Sequence, residues 1–272
     1  NFEHSFLKYT LQNIAQILSV QIPEADVVID TFLIDSRKLT SKGTSLFFAL
    51  TGPRRNGHLF IDELYGKGLR HFVVSQSIDE GRYPGSIFLK VDDTLNALQK
   101  IAARHRTQFD INVIGITGSN GKTVVKEWLN QLLQTDNKII RSPKSYNSQI
   151  GVPLSVWQLN KKDELAIFEA GISRPGEMEK LENIIRPTIG ILTNIGEAHS
   201  EGFENKEQKL QEKLKLFKHT KVFIANGDDE LLQKNIHHLN VPFFSWGRND
   251  NNAVKIISIE RQNFETILGI QY

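Results

Sequence analysis

The run Gly115-Ile116-Thr117-Gly118-Ser119-Asn120-Gly121-Lys122-Thr123 carries the residue types of a phosphate cradle. It follows a short apolar stretch, Ile111 to Ile116, and opens an apolar-periodic segment with Val125, Trp128, Leu129 and Leu132. Backbone N–H groups at a helix start face anionic oxygens, and the helix dipole adds favourable potential. In such a loop Lys122 reaches terminal phosphates and the Thr123 hydroxyl ligates Mg²⁺. The general pattern asks for glycine five residues before Gly121, where Ile116 stands, so the loop is a variant. The plainer alternative is a glycine-rich turn.

Other residues could share this chemistry. Glu169 ends the apolar run Ala166-Ile167-Phe168, and a carboxylate at a strand tip beside a phosphate loop suits a Mg²⁺ partner. Standing alone, it would be a solvated strand-end carboxylate. His199, in Thr193-Asn194-Ile195-Gly196-Glu197-Ala198-His199, is either a metal ligand or a hydrogen-bonded surface residue. Asn147, in Ser145 to Pro153, is either a turn former or an amide that contacts phosphate. Lys209, Lys213 and Lys215 share a helical pattern with Leu210, Leu214 and Phe217. Lysines so spaced most often form a solvated face, and residue types alone choose none of them. Asp35-Ser36-Arg37 and Asn56-Gly57-His58 form a second constellation, suited either to phosphate binding or to caps and turns.

Positioning these groups takes two domains. Residues 1–109 read as a small mixed α/β domain. It holds a helix over Thr10–Val20 with Leu11, Ile14, Ile17 and Leu18 on one face, and a helix over Phe60–Lys67. A third helix over Asp93–Arg106 is capped by Asp92 or Asp93. Short strands fall at Val27–Ile29, Phe32–Ile34, Leu46–Ala49, Phe72–Val74 and Ile87–Val91. Residues 110–272 alternate strands (Val113–Thr117, Leu165–Ala170, Ile189–Thr193, Val222–Ala225) with helices (Val124–Gln134, Gly176–Ile185, Lys206–Lys218). Alternation predicts a mostly parallel sheet flanked by helices, with its site at the carboxyl ends of the strands. Val254–Ile259 and Ile267–Tyr272 read as edge strands.

Composition narrows the classes. The chain has 272 residues, 39% hydrophobic and 24% charged, with a net charge of only +2, which argues against nucleic acid or an anionic membrane as partner. With no cysteine, disulfides, thiolate metal sites and cysteine nucleophiles are excluded, and a reducing compartment fits. No apolar run approaches the ~20 residues of a membrane-spanning helix.

Together these segments resemble the Mur ligase family. Thr117 to Thr123 is similar to that family's own phosphate loop, which accounts for Ile116. Tyr146-Asn147 through Leu154 resembles its Asn-containing loop, Glu169-Ala170-Gly171 with Gly176-Glu177-Met178 its metal-binding strand and following helix, and Thr193 to His199 its metal-binding His loop. Asp35-Ser36-Arg37, Phe47-Phe48-Ala49-Leu50 and Gly57-His58 resemble its UDP-binding domain.

The resemblance implies an ATP- and Mg²⁺-dependent cytoplasmic amide ligase of peptidoglycan synthesis. Its partners would be UDP-N-acetylmuramoyl-tripeptide and D-alanyl-D-alanine, joined through an acyl phosphate. ATP would meet Gly118, Ser119, Asn120, Gly121, Lys122, Thr123 and Asn147; metal would meet Thr123, Glu169 and His199; the UDP substrate would meet Asp35, Ser36, Arg37, Asn56, Gly57 and His58. It also chooses Lys213, fourteen residues after His199, as a carbamylated lysine beside Lys122 and His199 in the catalytic set. Three positions depart from the family pattern: Lys215 for Glu, Asn56 for Asp and Val124 for a hydroxyl residue.

The resemblance further implies that the central domain is incomplete and the C-terminal ligase domain absent, so this chain is expected to bind without turnover. A non-catalytic nucleotide-binding scaffold and a folylpolyglutamate synthase-like ligase are the alternatives; the pattern from Asp35 to His58 argues against the latter. Lys122→Ala is expected to weaken ATP binding, read by calorimetry, while leaving the circular dichroism spectrum intact. Unchanged affinity would remove the cradle assignment.

Overall fold

A computed structural model of the chain describes residues 9–52, 55–196 and 202–272. The fold is α/β and divides into two compact units, Asn1–Phe109 with Trp157–Lys162, and Asp110–Val156 with Asp163–Tyr272.

The first unit opens with β1 (Tyr9–Thr10), α1 (Leu11–Leu18), β2 (Val28–Ile29) and β3 (Thr31–Leu33). Then come β4 (Ser45–Phe48), β5 (Thr51–Gly52), β6 (Arg55–Asn56), α2 (Ile61–Gly66), β7 (His71–Val74), β8 (Ile87–Lys90) and α3 (Thr94–Arg106). Helix α1 starts at a capping box, Thr10 with Asn13, and buries Leu11, Ile14, Ala15 and Leu18, with Ile17 only half-buried. Asp93, not Asp92, caps α3 by accepting from the N–H groups of Leu95 and Asn96. Strands β3, β4, β7 and β8 form a parallel sheet in that order. Phe47, Phe72, Leu33 and Val74 pack one core with Ile61 and Leu64 of α2. Trp157 belongs to this unit: it stacks on Phe32 with ring centroids 3.8 Å apart and donates its indole N–H to Asp30 O.

The second unit contains β9 (Asn112–Thr117), α4 (Lys122–Leu133), β10 (Ile139–Arg141), α5 (Gly151–Val156), β11 (Leu165–Glu169), α6 (Glu177–Ile185) and β12 (Ile189–Leu192). It continues with α7 (Lys206–Leu214), β13 (Val222–Asn226), α8 (Glu230–Asn235), β14 (Phe243–Gly247), β15 (Val254–Gln262) and β16 (Glu265–Gln271). The strands form one sheet in the order β10-β11-β9-β12-β13-β14-β15-β16. Every pairing is parallel except β15 with β16. Connections run one way from β9 to β10 and β11, then the other way to β12 and beyond, so the strand order reverses at β9, where crevices form in such sheets.

Several sequence expectations change in detail. Residues 151–156, read as part of a loop, form α5; Pro153 sits in its first turn, where its missing N–H leaves no ladder bond unmade. The helix beginning at Lys206 tightens to 3₁₀ geometry over Lys215–Phe217. Strand β10, with three residues, is too short to stand out in sequence, and β14 was missed despite its three aromatic residues. Strand β15 is not an edge, since β14 and β16 flank it; β16 is the outer strand.

Helix α4 divides its apolar residues between two faces. Val125, Leu129 and Leu133 pack on Ile114, Ile116, Leu165 and Ile167, while Val124, Trp128 and Leu132 are each more than half exposed. Because β11 is buried on both faces, Ile167→Ala is expected to lower stability by about 2–5 kcal/mol, read as a shift in the urea midpoint of this unit. A loss under ~1 kcal/mol would mean that the site collapses around the smaller side chain.

Candidate functional site

The loop after β9 is shaped by two backbone conformations that disfavour side chains. Gly118 has φ +145°, and a Cβ there would fall 1.9 Å from Thr193 Oγ1. Gly121, the residue before α4, is left-handed at φ +79°. The end of β12 braces the loop: Ser119 N–H donates to Asn194 O (2.9 Å) and Asn120 N–H to Asn194 Oδ1 (3.1 Å). Thr193 Oγ1 donates to Asn120 O (2.6 Å), and the Ser119 hydroxyl pairs with the backbone of Gly196. The N–H groups of the first turn of α4, at Lys122, Thr123 and Val124, have no acceptor within the helix, as at every helix start. They are the ones left for an anion. Lys122 folds back over the loop, with Nζ 2.8 Å from Gly118 O. Burial lowers its pKa, against the opposing pull of Glu169.

Glu169, at the carboxyl end of β11, has no solvent exposure. Its Oε2 accepts from Thr123 Oγ1 (3.1 Å) and lies 3.5 Å from Asn147 Nδ2, the outer limit of a hydrogen bond. On its other side, Lys126 Nζ stands 2.9 Å from Oε1 as an ion pair without hydrogen-bond alignment, so Oε1 has no hydrogen-bond donor. Lys126 is itself wholly buried; Ser142 O, Lys144 O and Glu127 Oε1 complete its surroundings. Sequence reading missed Lys126. Its only signal was a charged residue one position after the inward-facing Val125. A carboxylate and a hydroxyl are the hard-oxygen donors that suit Mg²⁺, so Glu169 and Thr123 fit such an ion. Among the described residues no three His, Cys, Asp or Glu side chains cluster as a metal site. His199 lies outside the described residues.

Two lysines of α7 do not belong to a solvated face. Lys209 and Lys213 are buried, and carbonyls at the loop receive them: Lys209 Nζ donates to Gly196 O (2.7 Å) and Lys213 Nζ to Gly118 O (3.2 Å). Lys215, in the 3₁₀ turn after α7, is half-exposed and pairs with Glu212 at 2.6 Å. Burial first, then the positive charges of Lys122 and Lys209, bring the Lys213 pKa down to about 7. An amine in that range is uncharged in about half of the molecules at neutral pH, and an uncharged amine is the nucleophilic form.

In the first unit the second constellation falls at the carboxyl ends of adjacent parallel strands. Asp35-Ser36-Arg37 follows β3, and Asn56-Gly57-His58 is anchored after β4 by Gly57 N–H donating to Leu50 O. Arg37 grips Asp35 through Nε (2.9 Å) and Nη2 (2.7 Å), yet its side chain is 77% exposed. That pairing holds the Asp35 carboxyl well below the usual carboxylate range. Ser36 Oγ donates to Glu63 Oε2 (3.2 Å). His58 is buried, and its Nε2 accepts from the N–H groups of Ser75 (3.0 Å) and Gln76 (3.2 Å). Its proton therefore sits on Nδ1, 2.8 Å from Asn56 Oδ1. Burial lowers the His58 pKa and keeps the ring neutral. Both ring nitrogens are engaged in the fold, so Arg37 is the group here with donors free to face solvent.

A glycine-rich loop at the reversal point of a parallel sheet, opening a helix on Lys and Thr, defines a P-loop type α/β domain. A family model described as the Mur ligase middle domain matches residues 116–270, more than half the chain, and the chain belongs to the Mur ligase family. It is 32% identical over 272 residues to the UDP-N-acetylmuramoyl-tripeptide–D-alanyl-D-alanine ligase of Bacillus subtilis (strain 168), covering 97% of this chain and 59% of that protein. A crystal structure of MurF from Acinetobacter baumannii superposes with a TM-score of 0.85 at 26% identity, over 98% of this chain and 59% of that one. The MurF ligase of Thermotoga maritima, solved in complex with ADP, superposes with a TM-score of 0.78 at 27% identity, over 88% of this chain and 55% of that one. The chain thus spans under two thirds of the length of these relatives.

The Lys213 environment has a thermodynamic signature. Unfolded, Lys213 titrates near 10.5; folded, it titrates near 7. Between these values the unfolded chain holds the proton and the folded chain does not. The contribution of this group to stability therefore rises with pH across the window and is flat below it. Compared with Lys213→Met, the wild-type chain should gain up to about 1.4 kcal/mol per pH unit from roughly pH 7 to 10, read by urea unfolding at several pH values. A pH-independent difference would contradict the depressed pKa.

Proposed function

We propose that this chain supplies the substrate- and ATP-binding part of a cytoplasmic ligase that adds D-alanyl-D-alanine to UDP-N-acetylmuramoyl-tripeptide. The observation that carries the reading is the braced Gly118–Thr123 loop set against the buried Glu169, with Thr123 Oγ1 3.1 Å from its carboxylate. Likeness to D-alanyl-D-alanine ligases over nearly the whole chain supports the choice of substrates. In this reading the terminal carboxylate of the tripeptide attacks the γ-phosphate of ATP, the β,γ P–O bond breaks, and ADP leaves as the acyl phosphate forms. The amine of D-alanyl-D-alanine then displaces phosphate from the acyl phosphate.

Lys122 and the first-turn N–H groups of α4 would face the phosphates and offset charge that builds on the transferred group. Thr123, Glu169 and His199 would hold Mg²⁺, which when bound neutralises phosphate charge. Asn147, near Glu169, would reach the nucleotide phosphates. Lys213 as a neutral amine would add to CO₂ and lose a proton. The resulting carbamate places an anion there, suited to a second metal ion. Asp35, Ser36, Arg37 and Asn56 to His58 would meet the UDP part of the substrate. Arg37 would make the direct contact with phosphate, and His58 would hold the surrounding turns.

Calorimetric titration of the chain with UDP-N-acetylmuramoyl-tripeptide, and separately with ATP and Mg²⁺, is expected to show saturable binding of each. Arg37→Ala should weaken the first by roughly tenfold, in line with loss of a charge-assisted contact. Binding of ATP without any binding of the tripeptide would instead favour a nucleotide-binding scaffold.

A further inference from the structure

Lys126 stands at the junction of three segments that the proposed site needs. It belongs to α4, one turn after Thr123. Its Nζ donates to Ser142 O (2.8 Å) and to Lys144 O, in the stretch that leads from β10 to Asn147. It also reaches Glu169 Oε1 (2.9 Å) and Glu127 Oε1 (3.1 Å). An ammonium has three N–H donors. Two are taken by the carbonyls, and the third is divided between the two carboxylates, which is why Oε1 receives the positive charge without an aligned hydrogen bond.

The two oxygens of Glu169 are thereby made unequal. Oε1 is occupied by a cation that sits wholly inside the protein, and Oε2 is the oxygen turned to Thr123 Oγ1 and Asn147. Mg²⁺ demands compact octahedral coordination, whereas Ca²⁺ is larger and readily takes both oxygens of one carboxylate. A carboxylate with one oxygen held back favours the smaller ion.

We propose that Lys126 is a positioning residue that restricts Glu169 to one available oxygen and so sets the preference of the nucleotide site for Mg²⁺ over Ca²⁺. This rests on the reading of Glu169 as a metal ligand. Lys126 acts only through Glu169 and the Ser142–Lys144 backbone.

The test is the affinity of the chain for ATP by calorimetry, with no divalent ion, with MgCl₂ and with CaCl₂. Lys126→Gln keeps amide donors for the two carbonyls and removes the cation. It should move the ratio of Ca²⁺-supported to Mg²⁺-supported affinity toward Ca²⁺ by about fivefold or more. ATP affinity without metal should change much less. A merely structural loss would lower all three affinities together and leave the ratio in place, which overturns the proposal.

Glu169→Gln separates the two ideas. If metal dependence survives in that variant, the Glu169 reading fails and the Lys126 proposal with it. If metal dependence is lost there but the ratio is unmoved in Lys126→Gln, the Lys126 proposal alone fails. Should Lys126→Gln not fold, Glu127→Ala decides. It leaves the divided N–H to Glu169, so the preference for Mg²⁺ should sharpen by about twofold or more; an unchanged or weakened preference overturns the proposal.

Discussion

A carboxylate without solvent contact, at the carboxyl end of β11, one strand in from the edge of the sheet, governs the arrangement of the second unit. Removing Glu169 from water costs several kcal/mol after relaxation, and it persists only because charge and hydrogen bonds meet it. Lys126 provides the charge, Thr123 donates to one oxygen, and Ser142 Oγ accepts from the Glu169 backbone N–H. Lys126 and Thr123 come from α4 and Ser142 from the β10–α5 connection, so these two segments and β11 close together in one register. A buried ion pair of this kind is a poor source of net stability against an apolar replacement. Its retention at a strand end beside a phosphate loop fits a role in placing groups rather than in holding the fold.

The same reasoning extends to the lysines around the loop. Lys122, Lys209 and Lys213 converge on carbonyls of Gly118 and Gly196, and their mutual repulsion adds to burial in depressing the Lys213 pKa. A concentration of positive charge held in place by backbone carbonyls is the electrostatic setting in which an anion binds with little reorganisation. Meanwhile the N–H groups of Ser119 and Asn120 are committed to Asn194, which leaves the start of α4 as the direct donor. Shape comes from the end of β12, and charge comes from α4 and α7.

The first unit uses polar groups differently. His58 is locked neutral by two backbone donors to Nε2, and Asn56 holds its other nitrogen. These side chains secure the turns that leave the parallel strands. Arg37, fixed by Asp35 at one edge of its guanidinium, keeps the rest of its donors outward. A scaffold of engaged residues thus surrounds an exposed, preorganised guanidinium.

Local sequence was enough for the strand, glycine-rich turn and helix around Gly118 and Gly121, which occupy backbone conformations that other residues resist. It was enough too for the alternating strands and helices of an α/β fold, because strands buried on both faces must be continuously apolar and the helices between them amphipathic. Helix α5, strands β10 and β14 and the interior place of β15 were not legible, because short elements take their form from neighbours far away in sequence. Nor were the lysines. By residue type Lys209 and Lys213 read as part of a solvated face, only the family resemblance chose Lys213, Lys126 was missed, and nothing local says that a carbonyl or carboxylate waits for each. Sequence by itself determined which residues could do chemistry and the class of fold that presents them. Tertiary structure alone decided which charges are buried, and against what, because the cost of removing a charge from water depends on groups that only the closed sheet brings within reach.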